Sequence, residues 1–144
     1  MQHWEGFKRD EGKKSILEGI PQHLPALLRA YKLQEKATRV GFDWPQVQGA
    51  LEKLNEEIAE FIAASQDGSP DLIEDEMGDI LFAVVNIARM SGVEPEQALQ
   101  NSNAKFTRRF NHIENRLADE GEILEEAGLE RLDNLWDEAK LKGL

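Results

Sequence analysis

Cysteine is absent from this chain. That removes disulfide frameworks and thiolate metal sites, and it fits a reducing compartment such as the cytoplasm. Valine and threonine are few, and no stretch alternates apolar and polar residues with a period of two, so strands are not expected. No apolar run approaches the ~20 residues of a membrane span. The opening "MQHWEGFKRDEGKK" has no signal-peptide core. Positive charge is scarce as well: 17 Lys and Arg against 28 Asp and Glu give a net charge of -11. That balance argues against binding a nucleic-acid polymer or an anionic membrane. A small phosphorylated molecule stays possible if cations are concentrated locally or a metal accompanies it.

What is present is helical punctuation. Gly41, Gly68, Gly92 and Gly121 fall just after periodic segments, and Pro45, Pro70 and Pro95 fall near the starts of the next ones. Ser69-Pro70 reads as an N-cap followed by proline at the first helical position. Five helices are expected, over about 22–40, 46–65, 70–91, 94–119 and 123–142. Leu24, Leu27, Leu28 and Tyr31 form an apolar stripe on the first. Leu51, Leu54, Ile58, Phe61 and Ile62 form one on the second, and Phe106, Phe110, Ile113 and Leu117 one on the fourth. The third is apolar nearly all round from Ile80 to Val85, which makes it the central, buried helix. The fold class is therefore an all-α bundle of about five helices, with residues 1–20 as an N-terminal arm or linker and 21–144 as the domain. The 144 residues suffice for one domain with a sizeable core.

Asp79 stands directly against that apolar run, and Glu76 is one turn before it. A buried carboxylate is costly unless something neutralises it. The second helix carries "KLNEEIAEF", in which Glu57 and Glu60 share a face, Lys53 lies one turn before Glu57, and Glu56 is turned further round. Packing these faces together gathers four carboxylates. Acidic pairs three apart are common by chance in so acidic a chain, and what lifts these two is their apolar flanks, Phe61 and Ile62 on one side and Ile80 to Val85 on the other. Two like charges 4 Å apart repel by roughly 4 kcal/mol at an effective dielectric near 20. Four together exceed a domain's usual margin of about 5–15 kcal/mol. Divalent cations, basic partners or shifted pKa values must intervene.

An all-oxygen set suits Mg²⁺, with Mn²⁺ able to substitute, and does not suit zinc. A di-iron bundle requires Glu-x-x-His on two helices. Neither His23 nor His112 has a glutamate three residues before it, and His3 is too near the start, so His112 reads as a surface residue. Cations come from "NSNAKFTRRF", where Lys105 and Arg109 share a face beside Arg108. Two cations and Mg²⁺ match the needs of a triphosphate. Trp136 reads from its surroundings as apolar bulk.

Together, "LPALLRAYKLQEKATRVGFDW", "KLNEEIAE", "EDEMGDILFAVVNIAR" and "NAKFTRRF" closely resemble the MazG family of nucleoside triphosphate pyrophosphohydrolases, over about residues 14–142 and most like the C-terminal domain of such a protein. The family pattern E-E-x-x-E followed by E-x-x-D is matched by Glu56-Glu57-x-x-Glu60 and Glu76-x-x-Asp79. The resemblance implies an all-α fold, a homodimer, and Mg²⁺-dependent cleavage of NTP or dNTP to the monophosphate and pyrophosphate. It implies metal ligation and catalysis by Glu57, Glu60, Glu76 and Asp79. It also implies nucleotide contacts from Lys53, Leu72, Ile73, Glu74, Asp75, Asp79, Lys105, Arg109 and Trp136, which reverses the packing role for Trp136. The first of the two domains of a full-length MazG protein has no counterpart here. Two rivals stand beside this reading: a related all-α enzyme acting on dUTP or phosphoribosyl-ATP, and a non-catalytic acidic bundle that binds a protein.

Overall fold

The computed structural model describes residues 15–144. Of the arm expected over residues 1–20, residues 1–14 lie outside them, and residues 16–19 form a turn. Among the described residues the secondary structure is helical throughout, with five α-helices and one 3₁₀ turn. The helices are α1 (Ala26–Thr38), α2 (Val47–Asp67), α3 (Pro70–Met90), α4 (Pro95–Asp119) and α5 (Leu129–Leu141). They divide between two compact units, the first ending at Glu96 and the second covering Gln97–Leu144.

Three helices follow the expected bounds closely, and the two that start late do so for local reasons. Pro25 holds the residue before α1 at φ -51 and ψ 141. The residue preceding a proline is itself pushed out of the helical region, so Leu24 falls outside the helix and off its stripe. Gly128 takes φ 83 and ψ 158, a conformation only glycine adopts readily, and α5 begins after it. The preceding residues Leu124–Glu126 form the 3₁₀ turn instead of the first turn of a longer helix. Between α2 and α3 the chain turns at Gly68, whose φ of 81 lets its N–H close onto the Ala64 carbonyl at 3.1 Å. Ser69 occupies the N-cap position of α3 but its hydroxyl makes no capping hydrogen bond.

In the first unit α2 lies along α3 and α1 packs on α3, so α3 is central there. The line that α2 buries is Ala50, Glu57 and Ala64, at a spacing of seven. The larger apolar residues expected to be buried, Leu51, Ile58 and Ile62, are at least 39% exposed. Small side chains allow close approach of the two helices, and the bulky stripe is turned aside. α3 departs from expectation in the same way. Ala83 and Val85 are buried, yet Leu81, Phe82 and Val84 are 50%, 44% and 41% exposed. α1 and α2 cover only part of its circumference.

The second unit has its own small core. Ile113 and Leu117 of α4 meet Leu135 of α5, all at 3% exposure or less, with Phe110, Leu132 and Trp136 packed around them. Arg116 bonds Glu138 and Glu120 at 3.0 and 3.1 Å, and Arg131 bonds Glu120 and Glu122, which ties the turn before α5 to both helices. With so few large residues in this core, Leu135→Ala is expected to destabilise the protein by about 2–5 kcal/mol. Leu141→Ala, at a side chain 90% exposed, should change stability by less than about 0.5 kcal/mol. Guanidinium unfolding of the two variants against the parent checks the contrast.

Candidate active site

α2 carries Glu57 and Glu60, and α3 carries Glu76 and Asp79. Residues three apart share a helical face. One carboxylate oxygen from each of Glu57, Glu76 and Asp79 lies within 4.8 Å of the other two. Burial falls in that order: Glu57 is 5% exposed, Glu76 half-buried and Asp79 exposed. The buried charge expected at Asp79 is therefore at Glu57. Glu57 sits on the line that α2 presses against α3, whereas the apolar run after Asp79 is itself only partly enclosed.

Lys53 answers that burial. Its ammonium lies 2.9 Å from Glu57 Oε1 and 3.7 Å from Glu56 Oε2. The hydrogen bond to Glu57 raises the lysine's pKa above its ordinary value, with the surrounding carboxylates adding to the effect. The second oxygen of Glu57 and one oxygen of Glu76 are buried without a hydrogen-bond partner. A buried anionic oxygen left without a donor is destabilising. Two such oxygens beside a third carboxylate form an anionic, all-oxygen donor set of the kind a hard divalent cation takes. The residues present fit such a cation.

Glu60 stands outside the three-oxygen group. Its carboxyl is pushed above the ordinary range, first by the charge of Glu57, then by desolvation and by Glu76. The Asp79 carboxyl is pushed up as well, first by desolvation and then by the charges of Asp75 and Glu57. Asp75 belongs, with Leu72, Ile73 and Glu74, to the first turns of α3, one turn before Asp79. The remaining candidates are in the second unit. Lys105 is exposed on α4. Arg109, one turn on, has its guanidinium 5.2 Å from the centre of the Trp136 ring and donates from Nε to the Leu144 carbonyl at 2.9 Å. Phe106 lies 5.5 Å from the same ring. His112, expected at the surface, is largely enclosed, with Nε2 3.5 Å from Glu138.

One feature of the first unit was not foreseen. A cavity of about 680 Å³ is lined by Lys53, Glu57 and Asp79 together with Leu33, Phe42, Trp44 and Phe82. Arg89 binds three polar residues beside it: Asp43 through two bonds of 2.8 and 3.2 Å, Asn86 Oδ1 at 2.9 Å and Gln34 Oε1 at 3.4 Å. The hydrogen bond from Arg89 holds the Asp43 carboxyl below its ordinary pKa. The sequence signal for this wall was "GFDW", two aromatics flanking an acid just after a helix-ending glycine.

The raised carboxyls carry a pH dependence of known sign. The folded state binds protons at Asp79 and Glu60 more tightly than the unfolded chain does. The stability this contributes is present below the unfolded values of 3.8 and 4.5 and is lost as pH rises through the higher folded values. In EDTA, Asp79→Asn should therefore melt no lower than the parent, and its advantage should grow from about pH 4 to pH 7. Melts in which the variant is clearly less stable near neutrality would remove Asp79 from a repulsive cluster.

Residues 46–114 match the MazG nucleotide pyrophosphohydrolase domain family. The nucleoside triphosphate pyrophosphohydrolase/pyrophosphatase MazG of Thermotoga maritima is 41% identical over 140 residues, covering 95% of this chain and 54% of that protein. The nucleoside triphosphate pyrophosphohydrolase of Escherichia coli K12 is 39% identical over 146 residues, covering 97% of this chain and 56% of its own length. YabN, an uncharacterized protein of Bacillus subtilis, is 45% identical over 144 residues, with 29% of its length covered. The chain thus spans just over half the length of the first two relatives, in keeping with its likeness to one domain of a longer protein. The matched segment contains all of α2 and α3, with Lys53 and all four candidate carboxylates, so the part of this chain that carries the candidate site resembles the MazG family.

Proposed function

We propose that this chain hydrolyses nucleoside triphosphates, ribo or deoxyribo, to the nucleoside monophosphate and pyrophosphate. It acts in the cytoplasm as a homodimer, with residues 21–144 as the catalytic domain. The single observation that carries it is the convergence of Glu57, Glu76 and Asp79 within 4.8 Å, beside a cavity, on the segment that matches the family. The named activity of the Thermotoga and Escherichia relatives supports the same reaction class.

Mg²⁺, or Mn²⁺ in its place, would be held by Glu57, Glu76 and Asp79, and when bound it supplies positive charge and Lewis acidity toward phosphate oxygens and water. The chain's own residues do the rest. Lys53 holds the buried Glu57 by its 2.9 Å contact and so keeps one ligand oriented. Glu60, outside the group and with a raised pKa, is suited to take a proton from the attacking water. Water adds to the α-phosphorus, the α–β bridging bond breaks, and pyrophosphate departs with the electron pair. Lys105 and Arg109 are the cations proposed to meet the charge that develops on it. A dimer would cover part of the apolar surface left at Leu81 and Val84 of α3 and at Ile58 and Ile62 of α2.

Pyrophosphate release from a panel of triphosphates with and without Mg²⁺ tests the reading. Asp79→Asn and Glu57→Gln should abolish release. Mg²⁺ at a hundredfold excess over its Kd should stabilise the parent by about 2.7 kcal/mol, and each variant much less. No metal-dependent release from any triphosphate would leave an acidic binding module as the better account. Lys105→Ala and Arg109→Ala should each weaken triphosphate turnover by about 1.5–3 kcal/mol in kcat/KM while sparing Mg²⁺ binding. Unchanged kinetics in both would take these two out of the site.

A further inference from the structure

The cavity of the first unit extends well past the carboxylates. Asp79, Phe82, Ala83, Asn86 and Arg89 all line it, and they follow one another at helical spacing on a single face of α3. From Asp79 to Arg89 the helix rises about 15 Å. The acidic end is thus separated from the arginine end by a mostly apolar stretch, long enough for a sugar and a base beside the phosphates.

The far end is built from placed groups. Trp44 lies against α2 where Gly49 has no side chain; a Cβ there would stand 2.9 Å from the indole ring. Asp43, between the two aromatics, is clamped to Arg89 by the paired bonds described above. Phe42 is nonetheless 79% exposed and Trp44 37% exposed. Trp44 is therefore held in place against α2 while its own surface and that of Phe42 remain open. Arginine donates hydrogen bonds and accepts none, so Gln34 and Asn86 must turn their amide oxygens toward Arg89. Gln34 then spends its amide nitrogen on the Phe82 carbonyl at 3.0 Å. Asn86 is left with its Nδ2–H donors at the cavity wall.

We infer that this end of the cavity receives the base of the nucleotide, with Trp44 and Phe42 as its aromatic wall and Asn86 as donor to an oxo oxygen or bare ring nitrogen on the base edge. The inference rests on the triphosphate reading above and assigns its specificity to residues outside the acidic motifs. Arg89 and Gly49 are positioning residues: one orients the Asn86 amide, the other leaves room for Trp44.

The test compares kcat/KM for nucleoside triphosphates with kcat/KM for ribose 5-triphosphate, which has no base. Trp44→Ala, Gly49→Ala and Asn86→Leu should each lower the ratio of the first to the second about tenfold, mainly through KM, within the range that base–aromatic stacking supplies. Trp44→Phe should restore most of it. Thermal melts identify any variant that fails to fold, and the Trp44 pair decides the matter if Asn86→Leu is one of them. An unaltered ratio in folded variants overturns the base site, as does a parent that cleaves both substrates equally well. A parent inert toward both substrates defeats the triphosphate reading itself, and the base site falls with it.

Discussion

The contact between Lys53 and Glu57 is the constraint on which the site depends. Glu57 is a charge on the line that α2 presses against α3, with alanines a heptad away on either side. At separations up to 4.8 Å, repulsion between two carboxylates is about 3 kcal/mol or more at an effective dielectric near 20, and less where Asp79 meets solvent. A domain holds such a group only if something offsets it. One oxygen of Glu57 has the lysine, and the other has no protein partner. The helix pair is thus stabilised by its small buried residues and loaded by its acidic ones. A divalent cation would relieve that load.

The acidic end and the aromatic end of the cavity are joined by α3, and α2 runs beside it from Gly49, under Trp44, to Glu57. Because Asp79 and Arg89 stand on one face of one helix, their separation is set by helix geometry and not by a flexible loop. Arg89 also anchors the segment between α1 and α2 through Asp43. The rigid core of this unit therefore holds both the carboxylates and the aromatic wall.

Helix number, most helix bounds and the acidic constellation were legible in the sequence, because glycine, proline and three-residue spacing act locally. Which face each helix buries was not. Ile58 and Ile62 looked like core and are exposed, while Ala50, Glu57 and Ala64 carry the α2–α3 contact. Hydropathy ranks bulk, whereas close helix packing selects small side chains, and the two criteria point to different faces here. Asp79 was misjudged for the same reason, since its apolar neighbours Leu81 and Phe82 are not enclosed. The Arg89 network was not legible in the sequence because two of its partners are distant along the chain: Asp43 is 46 and Gln34 is 55 residues from Arg89. No local spacing reveals such a partnership.

The turn at Gly68 has a consequence for how this hairpin tolerates change. Glu57 and Asp79 are equidistant from Gly68 along the chain, and so are Glu60 and Glu76. Paired carboxylates therefore stand at the same level on two antiparallel rods, with Glu57 and Asp79 about 16 Å from the tip. Extra residues looped out at the tip would leave every level matched. A single residue inserted inside α2, between Glu60 and Gly68, would swing the α2 carboxylates by about 100° and lift them off their partners. The number of residues between the two acidic motifs is thus a free variable at the turn and a stepped one within the rods, where only whole helical turns added to both arms preserve the pairing.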